Sequence, residues 1–232
     1  LFHLVVHGIS KALLFLGAGN IMHGTSDETD CWSLGGLKSK MPVTTGIFLI
    51  GSLSLAGIAP LSGFFSKDEI LNSVYQEMGL GFLIVTLVGG FVSALYIARL
   101  FFITFTGNSR TDVAKNAHES PFLMLFPVVM LAIVAMFLGM AAIPMGGFKG
   151  FTFFVEQENK FHIIPWLIVV SFLIAILGVV VGWLYYGKSY LSHKSMALRL
   201  GLLYKGALKG FWIDAIYQFV IDRIVLESGR LI

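Results

Sequence analysis

Three ionisable residues near the start of the chain, His3, His7 and Lys11, follow one another at intervals of four inside an apolar run. At about 100° per residue they drift by only about 80° in total, so on a helix they form one stripe about 12 Å long, nearly half of a bilayer's hydrocarbon core. A charged lysine near a bilayer centre costs about 2.5–3.5 kcal/mol even on the lenient insertion scale. The stripe is therefore expected to face a protein interior or water. The chemistry open to it is proton transfer. Neutral imidazole donates at one nitrogen and accepts at the other, with a reference pKa of about 6.5. A lysine in a low-dielectric site can load and release a proton. The structural alternative is that the histidines hydrogen-bond neighbouring helices and Lys11 pairs with a carboxylate. Three titratable groups on one stripe favour the proton wire.

A second lysine stands beside a helix breaker. The apolar segment from Met41 to about Met78 would measure about 57 Å as one straight helix, far more than a bilayer needs. It contains Gly57-Ile58-Ala59-Pro60-Leu61-Ser62-Gly63. Pro60 removes a backbone donor and leaves the carbonyl near Ala56 without its helical partner. Gly57 and Gly63 make the flanking backbone easy to unwind. Such a break inside a membrane is tolerated only where protein or a water-filled cavity satisfies the freed groups. Lys67 and Asp68 follow directly, so a broken helix with a buried lysine predicts an ion site. The alternative is a plain proline kink, with Lys67 snorkelling to an interface beside Asp68.

The other charged residues carry weaker signals. Arg99 is close enough to the loop at Gly107 to snorkel to that face. His23, His118, His162 and His193 fall in or beside loops and read as surface residues. Asp214, Asp222, Arg223 and Glu227 recur like the solvated face of an amphipathic helix.

The elements that must position these groups follow from composition. Of 232 residues, 56% are hydrophobic and 12% charged, against about 25% charged in a soluble domain. Mean hydropathy is +0.85. Most of the surface must therefore face lipid, and the expected fold is an all-α integral membrane bundle of about five transmembrane segments. These are Leu1 to about Met22, the broken segment Met41 to Met78, about Leu80 to Thr106, about Pro121 to Ile143, and Ile163 to about Tyr186. Pro144 to His162, with Phe151, Phe153 and Phe154, is expected at the interface. After Gly187 the chain turns basic and amphipathic, with Lys188, His193, Lys194, Arg199, Lys205 and Lys209 among leucines and aromatics. The expected division is thus a bundle over 1–187 and a membrane-surface segment over 188–232.

If the segments alternate sides, Lys38, Lys40, Arg110, Lys115 and the basic tail share one face, with only Lys149 and Lys160 opposite. The positive-inside rule places that face in the cytoplasm or its equivalent. The single cysteine, Cys31, excludes an internal disulfide and a cysteine-ligated iron–sulfur cluster. No nucleotide fingerprint, P-loop or cysteine cluster is present, so no cofactor, metal or redox centre is expected in this chain. An opening without methionine, inside a helix, is expected of a piece of a longer polytopic subunit.

Two long motifs carry a family resemblance. His3-Leu4-Val5-Val6-His7-Gly8-Ile9-Ser10-Lys11-Ala12-Leu13-Leu14-Phe15-Leu16 resembles the histidine–lysine helix of the antiporter-like subunits of respiratory complex I, in the NADH-quinone oxidoreductase subunit L family. The run from Gly51 to Leu71, through Pro60 and Phe64-Phe65-Ser66-Lys67-Asp68-Glu69, is similar to that family's broken helix. Leu34-Gly35-Gly36-Leu37, Met41-Pro42 and Ala94-Leu95-Tyr96-Ile97-Ala98-Arg99 fit as well. The resemblance is strong over about the first 110 residues and rests on hydropathy and order beyond them. Ala59 stands where the family commonly has a second proline.

The resemblance implies the C-terminal part of a channel unit followed by the start of a lateral element. It implies that Lys11 is a central proton carrier, that His3 and His7 bridge along the membrane axis, and that Lys67, with Asp68 as neighbour, serves the exit path. The implied function is proton translocation in a quinone-reducing NADH (or related donor) oxidoreductase, driven by redox chemistry in other subunits, with other membrane subunits of the assembly and the lipid bilayer as partners and no nucleic acid. The expected location is a prokaryotic inner membrane, with an organellar energy-converting membrane as alternative. One rival is the large subunit of an Mrp-type cation/proton antiporter or a membrane-bound hydrogenase. Another is a structural anchor without transport.

Overall fold

The computed structural model describes residues 1–142, 164–187, 201, 204–207 and 209–226. The connection with Phe151, Phe153, Phe154 and His162 lies outside the described residues, as do Lys188, His193, Lys194, Arg199 and Glu227. The chain divides into two compact units, Leu1–Ser189 and Tyr190–Ile232. Among the described residues all regular structure is helical.

In the first unit, α1 spans Phe2–Gly24, α2 Pro42–Ala56, α3 Ser62–Phe105 and α4 Asp112–Lys115. Then come α5, Phe122–Phe137, extended by 3₁₀ turns over Leu138–Ala142, and α6, Pro165–Gly182, extended by π turns over Trp183–Gly187. Among the described residues four helices are long and apolar enough to cross a membrane: Phe2–Gly24, Ser62–Phe105, Phe122–Ala141 and Pro165–Gly187. Their outward faces carry Phe15, Phe82, Val85, Leu123 and Leu173, all exposed, as expected where lipid replaces water.

The expected second and third segments are divided differently from a simple pair of crossings. Pro42 starts α2 at the position where its missing N–H is not needed. Gly57 ends it in the left-handed conformation (φ 80°, ψ 39°). The Gly57 N–H reaches Ser54 O and the Ile58 N–H reaches Leu53 O, each at 3.0 Å, a Schellman motif that satisfies two terminal carbonyls. Contacts with α1 nevertheless run on across the break. Gly17 meets Phe48, Leu14 meets Gly51, Ser10 meets Ser54 and His3 meets Ser66. Together α2 and the start of α3 therefore form one interrupted path antiparallel to α1.

At 44 residues, α3 would measure about 66 Å if straight, twice the hydrocarbon core. It instead folds back at Gly79 (φ 81°, ψ −173°), a conformation closed to residues with a Cβ. The partners along α6 show the reversal. Trp166, Ser171 and Phe172 meet Tyr75, Asp68 and Phe64 of the first limb in reverse order. Leu167, Gly178 and Gly182 meet Leu83, Ala94 and Ala98 of the second limb in the same order. Gly178 and Gly182, four apart, lie against Ala94 and Ala98, also four apart, and these small pairs let the two backbones approach closely in lipid.

The loops at one end interlock. The Gly36 N–H donates to Thr106 O at 3.0 Å, and Thr111 Oγ1 donates to Ser33 O at 2.8 Å. The His118 N–H donates to Gly24 O at 3.2 Å. The loops carrying Lys38, Lys40, Arg110 and Lys115 are thus on one face. Arg99 stands there too, its guanidinium 5.8 Å from the Trp32 ring centre and 5.6 Å from that of Tyr186, within cation–π range.

The second unit contains 3₁₀ turns over Gly210–Trp212, then α7, Ile213–Val220, and π turns over Ile221–Leu226. Ile213, Ile216, Tyr217, Phe219 and Val220 are exposed alongside Asp214.

Candidate proton-transfer site

The break after α2 leaves the Ala56 carbonyl outside the Schellman motif. Pro60 has no N–H to offer Ala56, and Lys67 Nζ donates to Ala56 O at 3.2 Å instead. Lys67 reaches that point between two glycines. A Cβ on Gly57 would stand 2.9 Å from Lys67 Cδ, and a Cβ on Gly90 would stand 3.0 Å from Nζ. The alkyl chain thus lies in a slot walled by bare backbone from the break and from the second limb of α3.

The histidine stripe of α1 faces the same place. The His3 and His7 rings are 5.7 Å apart, centre to centre. His3 Nδ1 lies 3.0 Å from Ser66 Oγ, one residue before Lys67. Ser66 Oγ also donates to Gly63 O at 3.3 Å. While Ser66 gives its proton to that carbonyl, His3 Nδ1–H is the donor and Nε2 is the open acceptor. Turning the serine hydroxyl reverses the tautomer. Beside this pair three hydroxyls join α1, α2 and α3: Ser10 Oγ is 2.9 Å from Ser54 Oγ, which is 3.3 Å from Ser62 Oγ. Each hydroxyl can donate and accept, so a proton can pass along them by exchange.

His3, Val6, His7, Ser10, Ser54, Leu55, Gly63 and Lys67 line a cavity of about 20 Å³, room for about one water. Two imidazoles, two hydroxyls and an ammonium thus share one space. Lys11 is half-buried and lies outside that lining, one turn further along α1. Asp68 is buried at 8% exposure but faces away from the cavity, toward α6. Its Oδ1 accepts from Ser171 Oγ at 2.6 Å, while Oδ2 is buried with no hydrogen-bond partner among the described residues.

The structure therefore brings His3, His7 and Lys67 together, sets Lys11 one turn beyond them, and turns Asp68 to a different helix. Sequence reading missed the serines, Gly90 and Glu119. A small polar residue inside an apolar run was the available signal for Ser10, Ser54, Ser62, Ser66 and Ser171. Among the described residues no cluster of three metal-ligating side chains forms.

Residues 1–95, which hold the whole cavity, match the family model described as NADH:quinone oxidoreductase/Mrp antiporter, transmembrane. The chain is 32% identical to the NAD(P)H-quinone oxidoreductase chain 5 of Picosynechococcus sp., with 100% of this chain and 40% of that protein aligned. It is 33% identical to the NADH-quinone oxidoreductase subunit L of Rickettsia bellii, over 95% of this chain and 36% of the relative.

The chain belongs to the antiporter-like membrane-subunit family of these oxidoreductases.

It is also 42% identical to the NADH-ubiquinone oxidoreductase chain 5 of Aspergillus niger, over 60% of this chain and 22% of the relative. The chain thus spans two fifths or less of the length of these curated relatives. Membership and the apolar helices together make it an integral membrane protein. The family's transmembrane match ends at residue 95, just past Gly90, so the lysine slot falls inside it and the Asp68 partner Ser171 falls outside.

Proposed function

We propose that this chain contributes a proton path to the membrane arm of a complex I-type NADH–quinone oxidoreductase, with redox chemistry carried by other subunits. Protons pass among Lys67, His3, His7 and the cavity water, with Lys11 as the next carrier along α1 and Asp68, next to Lys67 in sequence, as a buried carboxylate on the α6 side. The observation that carries this assignment is the shared cavity: an ammonium held by the Ala56 carbonyl opens onto two imidazoles that can exchange tautomers. His3 can accept a proton at one ring nitrogen and release one from the other without rotating, which is what a relay requires.

The family description includes Mrp antiporters as well as quinone oxidoreductases. The curated relatives named above are all quinone or ubiquinone oxidoreductase subunits, and this favours the oxidoreductase branch.

The test is electron transfer measured together with proton uptake in membrane vesicles carrying the assembled complex with Lys67→Ala. Loss of pumped protons per electron, with electron transfer retained, is the expected result. A wild-type ratio would overturn the proposal and leave the buried charges as structural pairs.

A further inference from the structure

We infer that Glu119 is a positioning residue for Lys67, acting through the length of α2. Glu119 Oε2 accepts from the Val43 N–H at 2.8 Å and the Thr44 N–H at 3.3 Å, and Oε1 accepts from the Thr44 hydroxyl. These N–H groups belong to the first turn of α2, where helical donors have no partner of their own. Met41, the residue preceding α2, supplies no side-chain cap. The cap comes instead from the loop before α5, 75 residues away in sequence from Thr44.

The other end of α2 is Ala56, whose carbonyl takes the Lys67 ammonium. A carboxylate thus sits on the positive pole of α2 and an ammonium on its negative pole, the favourable sign at both ends. The 15 residues of α2 separate the two groups by about 20 Å of rigid helix.

The coupling between the two ends is one of position. His118 and Ser120 flank Glu119, and both are tied to the end of α1: the His118 N–H donates to Gly24 O at 3.2 Å and Ser120 Oγ to Asn20 O at 3.1 Å. Residues 118–120 therefore clamp α1, which carries His3 and His7, against α2, which offers Ala56 O. A slip of α2 along its axis at Glu119 moves the acceptor of Lys67 by the same amount.

This inference rests on the proposed proton path, so Lys67→Ala is measured beside the Glu119 variants in the assembled complex. Glu119→Gln keeps a carbonyl oxygen to accept from the α2 N–H groups but removes the charge. Glu119→Asp keeps the charge on a shorter arm. Pumped protons per electron are expected to fall roughly threefold in Glu119→Gln, as neutral hydrogen bonds replace charge-assisted ones at the start of α2 and hold it less firmly, with electron transfer intact and Glu119→Asp retaining more than Glu119→Gln. A wild-type ratio in Glu119→Gln, or Glu119→Asp no better than Glu119→Gln, would overturn it and leave Glu119 as a loop tether. If Lys67→Ala itself pumps normally, the proton path fails first. Glu119→Ala loses both tether and charge. Should it block assembly, the near-isosteric Glu119→Gln still decides the matter.

Discussion

Lys67 Nζ donates to Ala56 O at 3.2 Å, so the carbonyl that Pro60 deprives of its helical partner is the one that holds the lysine. The break and the charge are two halves of one arrangement. The orphan carbonyl is costly in a membrane without a donor, and the ammonium is costly without an acceptor. Each offsets the other's cost, and the ammonium still has donors free to turn toward the cavity.

Lys67→Ala removes the donor and Lys67→Arg overfills the slot between Gly57 and Gly90. Guanidinium is a planar fork and cannot occupy a space shaped for a single ammonium. Both variants are expected to lower pumped protons per electron by on the order of tenfold, the worth of one hydrogen bond to a charged group. Proton uptake in energised vesicles, normalised to electron transfer, measures this. Recovery by arginine would show that charge alone suffices.

Gly57→Ala meets two obstacles. The left-handed backbone at φ 80° costs a residue with a Cβ about 1–2 kcal/mol, and the new methyl would stand 2.9 Å from Lys67 Cδ. Reduced thermal stability of the assembled complex is expected, along with a pumping defect like that of Lys67→Ala. Gly89→Ala is the control, because a Cβ there meets nothing within 4 Å.

His3→Gln separates packing from relay. Glutamine can still hydrogen-bond Ser66 but has no ring to accept a proton at one atom and release it at another. Wild-type assembly with impaired pumping is the expected outcome. Equal pumping in His3→Gln would remove the imidazole from the path and leave the serine hydroxyls and water as its carriers.

How much of this was legible in the sequence follows from what each signal depends on. The His3–His7–Lys11 stripe and the break at Pro60 depend on local periodicity and a missing N–H, so they could be read directly. The reversal at Gly79 falls between the expected segments that end at Met78 and begin at about Leu80, so the boundary was legible from hydropathy. Asp68 shows the limit. Its place beside Lys67 in sequence made it a neighbour on the implied path, but successive residues on a helix point about 100° apart, and Asp68 meets Ser171, 103 residues away. Lys11 falls outside the cavity lining for a related reason: the 80° drift along the stripe carries it off the axis that His3 and His7 share. Glu119 had no local signal at all, because the helix it caps begins 77 residues before it.

Ser171→Ala tests what holds Asp68. The hydroxyl is the one hydrogen-bond donor to that carboxylate among the described residues, at 2.6 Å to Oδ1, and Oδ2 is already buried without a partner. Removing the hydroxyl leaves the whole group unsatisfied, at a cost of about 1–3 kcal/mol, with the lower end expected in a membrane, where side-chain hydrogen bonds average about 0.6 kcal/mol. Asp68→Asn keeps an acceptor for Ser171 and removes the charge, so it is expected to match or exceed wild-type stability. Thermal unfolding of the assembled complex should therefore rank Asp68→Asn above Ser171→Ala. The reverse order would mean that the carboxylate's charge, through a partner other than Ser171, is what stabilises this contact between α3 and α6.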